Sequence, residues 1–152
     1  MSSNREQILN ALVSILATDA LFPAAELDEP EPTDFIAIAG QNAAHVLAVQ
    51  EGTSVVTRDG GRDDDWELEL EITVAYAVQC STRQTRRALR DAACVRLQTL
   101  IASNRTLGLS FLPYVEIRDL ARDDNIPTEG GVVIATAILT LAVTYVALSA
   151  AG

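Results

Sequence analysis

Thirteen residues in the middle of the chain limit its fold more than any other segment. Trp66, Leu68, Leu70, Ile72, Val74, Tyr76 and Val78 are apolar on every second position, and Glu67, Glu69, Glu71, Thr73, Ala75 and Ala77 lie between them. Successive strand residues point to opposite faces, so this spacing predicts a long strand with one core face. The other face is acidic at one end and small at the other. A strand greasy on one side needs helices or a second sheet over that side.

The flanking segments supply helices. Ser3 and Glu6 form an S-x-x-E capping box. Ile8, Leu12, Ile15 and Leu16 then repeat at helical spacing, up to a stop between Thr18 and Leu21. A second helix is expected after Ser81 and Gln84, another capping box, with Leu89, Ala93, Leu97, Leu100 and Ile101 as its apolar stripe. It ends near Asn104, where Thr106-Leu107-Gly108 turns the chain.

Four further strands are expected at 35–38, 45–50, 109–120 and 132–148. The stretch 26–32, with four acids and two prolines, reads as an exposed connector. Residues 57–65, TRDGGRDDD, read as a flexible loop, and 121–125 as a polar turn. The expectation is one α+β domain over 1–152. It has a mainly antiparallel sheet of about five strands and two helices packed on it, in the order α-β-β-β-α-β-β.

Charge excludes several functions. The 152 residues carry 11 basic and 21 acidic side chains, a net charge of −10, and every basic one is arginine. Nucleic-acid binding needs clustered cations at the phosphates, and an anionic membrane surface needs the same. Hydrophobic residues make up 49%, too many for a disordered chain. The N-terminal apolar residues are interrupted by Glu6, Gln7, Asn10, Ser14 and Asp19, unlike an export signal. The run after Glu129 has no charge through Gly152. Its Val, Ile and Thr content and the preceding Gly130-Gly131 favour a buried strand over a membrane anchor.

The residues offer no catalytic constellation. There is no nucleophile elbow, phosphate loop or dinucleotide fingerprint. His45 has no zinc-site spacing around it. Cys80 and Cys94 read as free thiols, Cys94 as a small core residue. No metal or cofactor is expected, and no enzymatic activity.

Three charged groups are candidates for contact. Arg83, Arg86, Arg87 and Arg90 crowd the first turns of the second helix, with Arg83, Arg87 and Arg90 roughly on one face. They suit a subunit interface, because arginine pairs well with carboxylates. A solvated helix face is the plainer reading. Glu67, Glu69 and Glu71 form a carboxylate row about 7 Å apart. That row is either a soluble face or a wall that DNA passes without sticking. Arg58, Asp59, Arg62, Asp63, Asp64 and Asp65 form a candidate partner-contact loop.

The whole arrangement resembles the tail terminator (tail completion) proteins of long-tailed bacteriophages. The resemblance rests on a capped opening helix, REQILNALVSILATD; the polar loop TRDGGRDDD; the strand WELELEITVAYAV; the helix TRQTRRALRDAACVRLQTLIASN; and RTLGL before a closing strand pair. It covers nearly the full length as an order of elements. Thr106-Leu107-Gly108 is its most specific local match, although Leu109 stands where many relatives have a second glycine. The resemblance implies a homo-hexameric ring in the virion neck, assembled in the host cytoplasm. Such a ring caps the tail tube and meets the head-tail connector protein, and DNA passes through it without specific binding. A head-closure or tube-like protein, or a small soluble ligand-binding α+β domain, are the alternatives.

Overall fold

The computed structural model describes residues 3–19, 26–27, 45–59, 66–79, 82–127 and 133–147. It holds helix α1 (Asn4–Ala17), strand β1 (Glu26–Leu27), strands β2 (His45–Arg58) and β3 (Trp66–Gln79), helix α2 (Arg83–Ser103), and strands β4 (Tyr114–Pro127) and β5 (Val133–Ala147). The sheet order is β1-β2-β3-β5-β4. The four long strands are antiparallel, and the two residues of β1 pair parallel to β2 at Ala48 and Val49. Among the described residues the fold is α+β, with two helices and four long antiparallel strands in the order α-β-β-α-β-β, and the short β1 at the edge of the sheet; the strand expected at 35–38 lies outside the described residues.

The alternation in β3 organises the core. Leu68, Leu70, Ile72, Val74, Tyr76 and Val78 are all buried on one face. Across β5 they pair with Tyr145, Val143, Leu141, Leu139, Ala137 and Ala135. Ile8, Leu9, Leu12 and Leu16 of α1 and Ala93, Leu97 and Ile101 of α2 close over this surface as one cluster. Among the described residues, both helices lie on this face.

The capping box of α1 forms as expected. Ser3 is its N-cap, and the Ser3 hydroxyl accepts the Glu6 N–H at 3.1 Å. Two ties then fix the helix to the sheet and to α2. Asn4 Nδ2 donates to the Val146 carbonyl at 2.8 Å, and Arg96 donates to the buried carboxylate of Asp19 at 2.9 Å through Nε. Arg5 pairs with Glu51 of β2.

Four boundaries differ from expectation. First, β2 does not stop at Glu51-Gly52 but runs on to Arg58 past a bulge between Glu51 and Ser54. A Cβ on Gly52 would stand 2.9 Å from the Glu71 carbonyl, so glycine lets the two strands close at that point. Second, Thr57 and Arg58 therefore belong to a strand and not to a loop. Third, α2 starts at Arg83 with Thr82 as its N-cap, whose side chain makes no capping hydrogen bond; Ser81, the first residue of the expected box, lies outside the described residues.

Fourth, 109–113 is part of a tight connector, and the polar run 121–125 lies within β4. The connector closes through three successive turns, Leu107 N–H to Asn104 O, Leu109 N–H to Thr106 O and Leu112 N–H to Leu109 O. Leu107, Gly108 and Leu112 take positive φ there, of 56°, 68° and 49°. The last strand matches its expected span closely. No helix among the described residues is long and apolar enough to cross a membrane.

Leu70 is fully buried at the centre of this face. Leu70→Asp places an uncompensated carboxyl there and is expected to cost about 4 kcal/mol or more. Glu71→Leu, on the opposite face, is expected to stay within about 0.5 kcal/mol. Thermal melts followed by circular dichroism check both; an unchanged melt for Leu70→Asp would reverse the assignment of faces.

Candidate functional site

The two charged groups that lie among the described residues sit on opposite sides of the sheet. Even-numbered β3 residues take the helix face, so Glu67, Glu69 and Glu71 stand on the other. Their β5 partners are Val146, Thr144 and Ala142. Through Ala142, Glu71 shares a row with Glu116 of β4, and through Thr144, Glu69 shares one with Tyr114. The carboxylate row therefore widens across the sheet to Glu116 and Asp119.

This acidic surface is held in place by neighbours. Thr57 Oγ1 donates to Glu67 Oε1 at 2.8 Å. Arg118 bridges Glu69 at 3.3 Å and Glu116 at 3.1 Å. Exposed pairs of this kind contribute little to stability, but they orient the carboxylates. At the other end of the same face Ala48, Ala75, Ala77, Ile134 and Thr136 are buried. The β3 carboxylates therefore all lie in the half nearer Trp66.

Glu116, Arg118 and Asp119 were not legible as members of this site. A bulge between Ile117 and Asp119 breaks the period-two signal of β4, so Arg118 and Asp119 no longer alternate simply. Arg58 and Asp59 stand at the end of β2, next to Glu67. Arg62, Asp63, Asp64 and Asp65 lie outside the described residues.

The arginine helix separates into two pairs. Arg86 and Arg90 are buried, at 6% and 4% exposure, while Arg83 and Arg87 are exposed. The expectation that Arg83, Arg87 and Arg90 share one exposed face is corrected. Arg86, Arg90, Ala93, Cys94, Leu97 and Ile101 form the inward stripe of α2. Leu89, expected in that stripe, is 39% exposed. An arginine stem covers apolar surface as well as a leucine does, provided its guanidinium finds partners.

Arg90 pairs with Asp91. Nε and Nη2 donate to Asp91 Oδ1 at 3.1 and 3.0 Å, and Arg122 of β4 stands 3.7 Å from the same oxygen. Asp91 thus links the start of α2 to the edge strand. Burial pushes the Cys94 thiol up, and the nearby guanidinium groups of Arg122 and Arg90 oppose that shift. A buried thiol kept protonated is a poor nucleophile. Arg83, Gln84, Arg87, Ala88 and Asp91 line an open groove of about 590 Å³ on the outer side. No cluster of metal-ligating side chains occurs among the described residues.

No family model and no curated protein matches the chain.

Two expectations follow from the burial. Arg90→Glu sets a second carboxylate beside Asp91 in a buried position and is expected to destabilise the fold by about 3 kcal/mol. Arg87→Glu is expected to change stability by less than about 0.5 kcal/mol. Urea unfolding distinguishes them, and equal midpoints would contradict the division of the helix. Tyr76 adds a pH dependence. Burial, with the Cys94 thiol adding, pushes its hydroxyl up to about 12 from an ordinary 10.0. An acid that ionises later in the folded state than in the unfolded one loses stability as pH rises between the two values. Stability should therefore fall from pH 10 to 12, and Tyr76→Phe should flatten that slope; an unchanged slope would show that Tyr76 is not its source.

Proposed function

We propose that the chain is a structural protein of the bacteriophage neck, a tail terminator. In this reading its copies close into a hexameric ring that caps the tail tube and joins it to the head connector. The observation that carries this reading is the carboxylate surface on the side of the sheet opposite α1 and α2: Glu67, Glu69, Glu71 and Glu116. A ring lumen faced by such a surface repels phosphates, so a genome slides past without binding. The role asks for surfaces, not for catalysis.

Arg83 and Arg87 have a natural place in this reading. They are exposed beside the start of α2, where they can meet carboxylates of a neighbouring copy or of the tube or connector. Arg58 and Asp59, at the tip of β2, belong to the end that meets one of those partners. The resemblance in element order supports the same assignment, as does the exposure of the carboxylate end of the face opposite α1 and α2.

A head-closure or tube-like protein would use the same surfaces and differs in where it stops polymerisation. A small ligand-binding domain is the reading favoured by the groove at Arg83 and Arg87, which would then take a compact anion.

Native mass spectrometry and electron microscopy with the tail tube protein test the proposal. The expected outcome is a discrete hexamer and tubes that stop growing once it is added. Monomers at every concentration, with tubes of unrestrained length, would contradict it. Arg83→Glu together with Arg87→Glu should lower the assembled fraction at least tenfold while leaving the melt unchanged; assembly at the wild-type level would remove that helix face from the interface.

A further inference from the structure

Positive charge in this acidic chain is concentrated in one place. Of the eleven arginines, Arg83, Arg86, Arg87, Arg90 and Arg122 gather where α2 begins and passes β4. Asp91 is the one acid in the whole of α2. Its charge is matched from the sheet side: Arg90 donates twice to Oδ1, and Arg122 stands 3.7 Å from the same oxygen. Arg83 and Arg87 are exposed and cover no core. They lie one turn apart, where like charges repel, and in the first turns of a helix, where the dipole disfavours cations. No acid stands in the first turn of α2 to offset this. With Gln84, Ala88 and Asp91 the two arginines line the open groove of about 590 Å³.

We propose that this groove binds a small phosphomonoester, with the phosphate between Arg83 and Arg87 and a hydroxyl or amino group of its carrier at Asp91. The guanidinium fork matches phosphate geometry through paired N–H donors. Side chains at i and i+4 start about 6 Å apart at Cβ, close enough for two forks to converge on one tetrahedral group. A carboxylate has two oxygens for two forks, and a phosphate monoester has three.

The size of the groove argues for a carrier. Its volume falls within the range of small-ligand clefts, about 300–1,000 Å³, and a lone oxyanion fills little of it. Asp91 lies one turn beyond Arg87, about 6 Å along the helix axis. Ala88 between them keeps the floor low, and the Gln84 amide adds a donor and an acceptor. Because Arg90 and Arg122 already offset the Asp91 charge, that carboxylate accepts from a hydroxyl or an amine without driving the phosphate away. The net charge of −10 repels anions from the chain as a whole, so a bound one is directed to this corner.

This site goes beyond the ring reading and stands without it. Ligand binding is read on the chain whatever its assembly. Binding without hexamers would keep the site and end the ring, and hexamers without binding would do the reverse.

Thermal melts and calorimetric titration of the full chain test the site, with sodium chloride holding ionic strength constant. The probes are glycerol 3-phosphate, inorganic phosphate and acetate. A ligand that binds the folded state raises the melting temperature in a saturable way. The expected result is such a rise with glycerol 3-phosphate, at a half-saturation at least tenfold below that of acetate and below that of inorganic phosphate. Arg83→Gln together with Arg87→Gln should abolish the rise and leave the ligand-free melt unchanged. Arg83→Lys together with Arg87→Lys keeps the charge but loses the forks, and should raise the half-saturation at least threefold. Equal affinity for inorganic phosphate and the ester would overturn the place of Asp91 and make free phosphate the ligand. Unchanged affinity in the lysine variant would overturn the forked geometry. No rise with either phosphate, or the same rise with acetate, would overturn the site.

Discussion

The burial of one face of β3 under two helices is the interaction on which everything else in this structure depends. Each apolar residue from Leu68 to Val78 pairs across β5 with another residue of the same face. α1 and α2 then cover that surface without a gap in the cluster. A one-residue slip of β3 would carry Glu67, Glu69 and Glu71 into this core and bring six apolar side chains out. The cost of burying three carboxylates makes the register of the central strand unambiguous. Once it is set, the charged face, the position of β4 and the burial of Arg86 and Arg90 all follow.

Two acidic groups tie charged side chains at the margins of this core. Arg90 lies almost wholly inside, tied to Asp91, which also faces Arg122 of β4. Asp19, at the end of α1, is buried and held by Arg96 of α2. These contacts fasten the helices to each other and to the far edge strand. Breaking a buried ion pair leaves an unmatched charge, which costs more than the pair contributes when intact. The specificity of helix placement therefore resides in a few charged residues at the margins, and the bulk of the burial in the sheet.

The parts legible in the sequence were those with an unbroken local signal. The period-two run of β3, the capping box of Ser3 and Glu6 and the apolar closing strand each carry their pattern without interruption. The signal failed where tertiary context overrode it. Gly52 reads locally as a strand end, yet it serves as the point where β2 closes on Glu71 through a bulge. The run at 121–125 reads as a turn because it is polar, yet it is an edge strand, where charged residues suppress unwanted pairing. Arg86 and Arg90 continue the helix stripe at i and i+4 but were read by charge alone, although long arginine stems can fill such positions. Of the acidic site, the β3 row was legible and the β4 contribution was hidden by its own bulge.

The two faces of the sheet differ in kind: one is packed under α1 and α2, and the other carries Glu67, Glu69 and Glu71 at its Trp66 end, the surface that the proposed ring turns towards its opening. Cryo-electron microscopy of the assembled protein tests that division most directly. The account predicts an annulus with a central opening, the two helices of each copy on the outside and the face bearing Glu67, Glu69 and Glu71 towards the opening. A ring with α2 lining the opening, or particles with no opening, would contradict it.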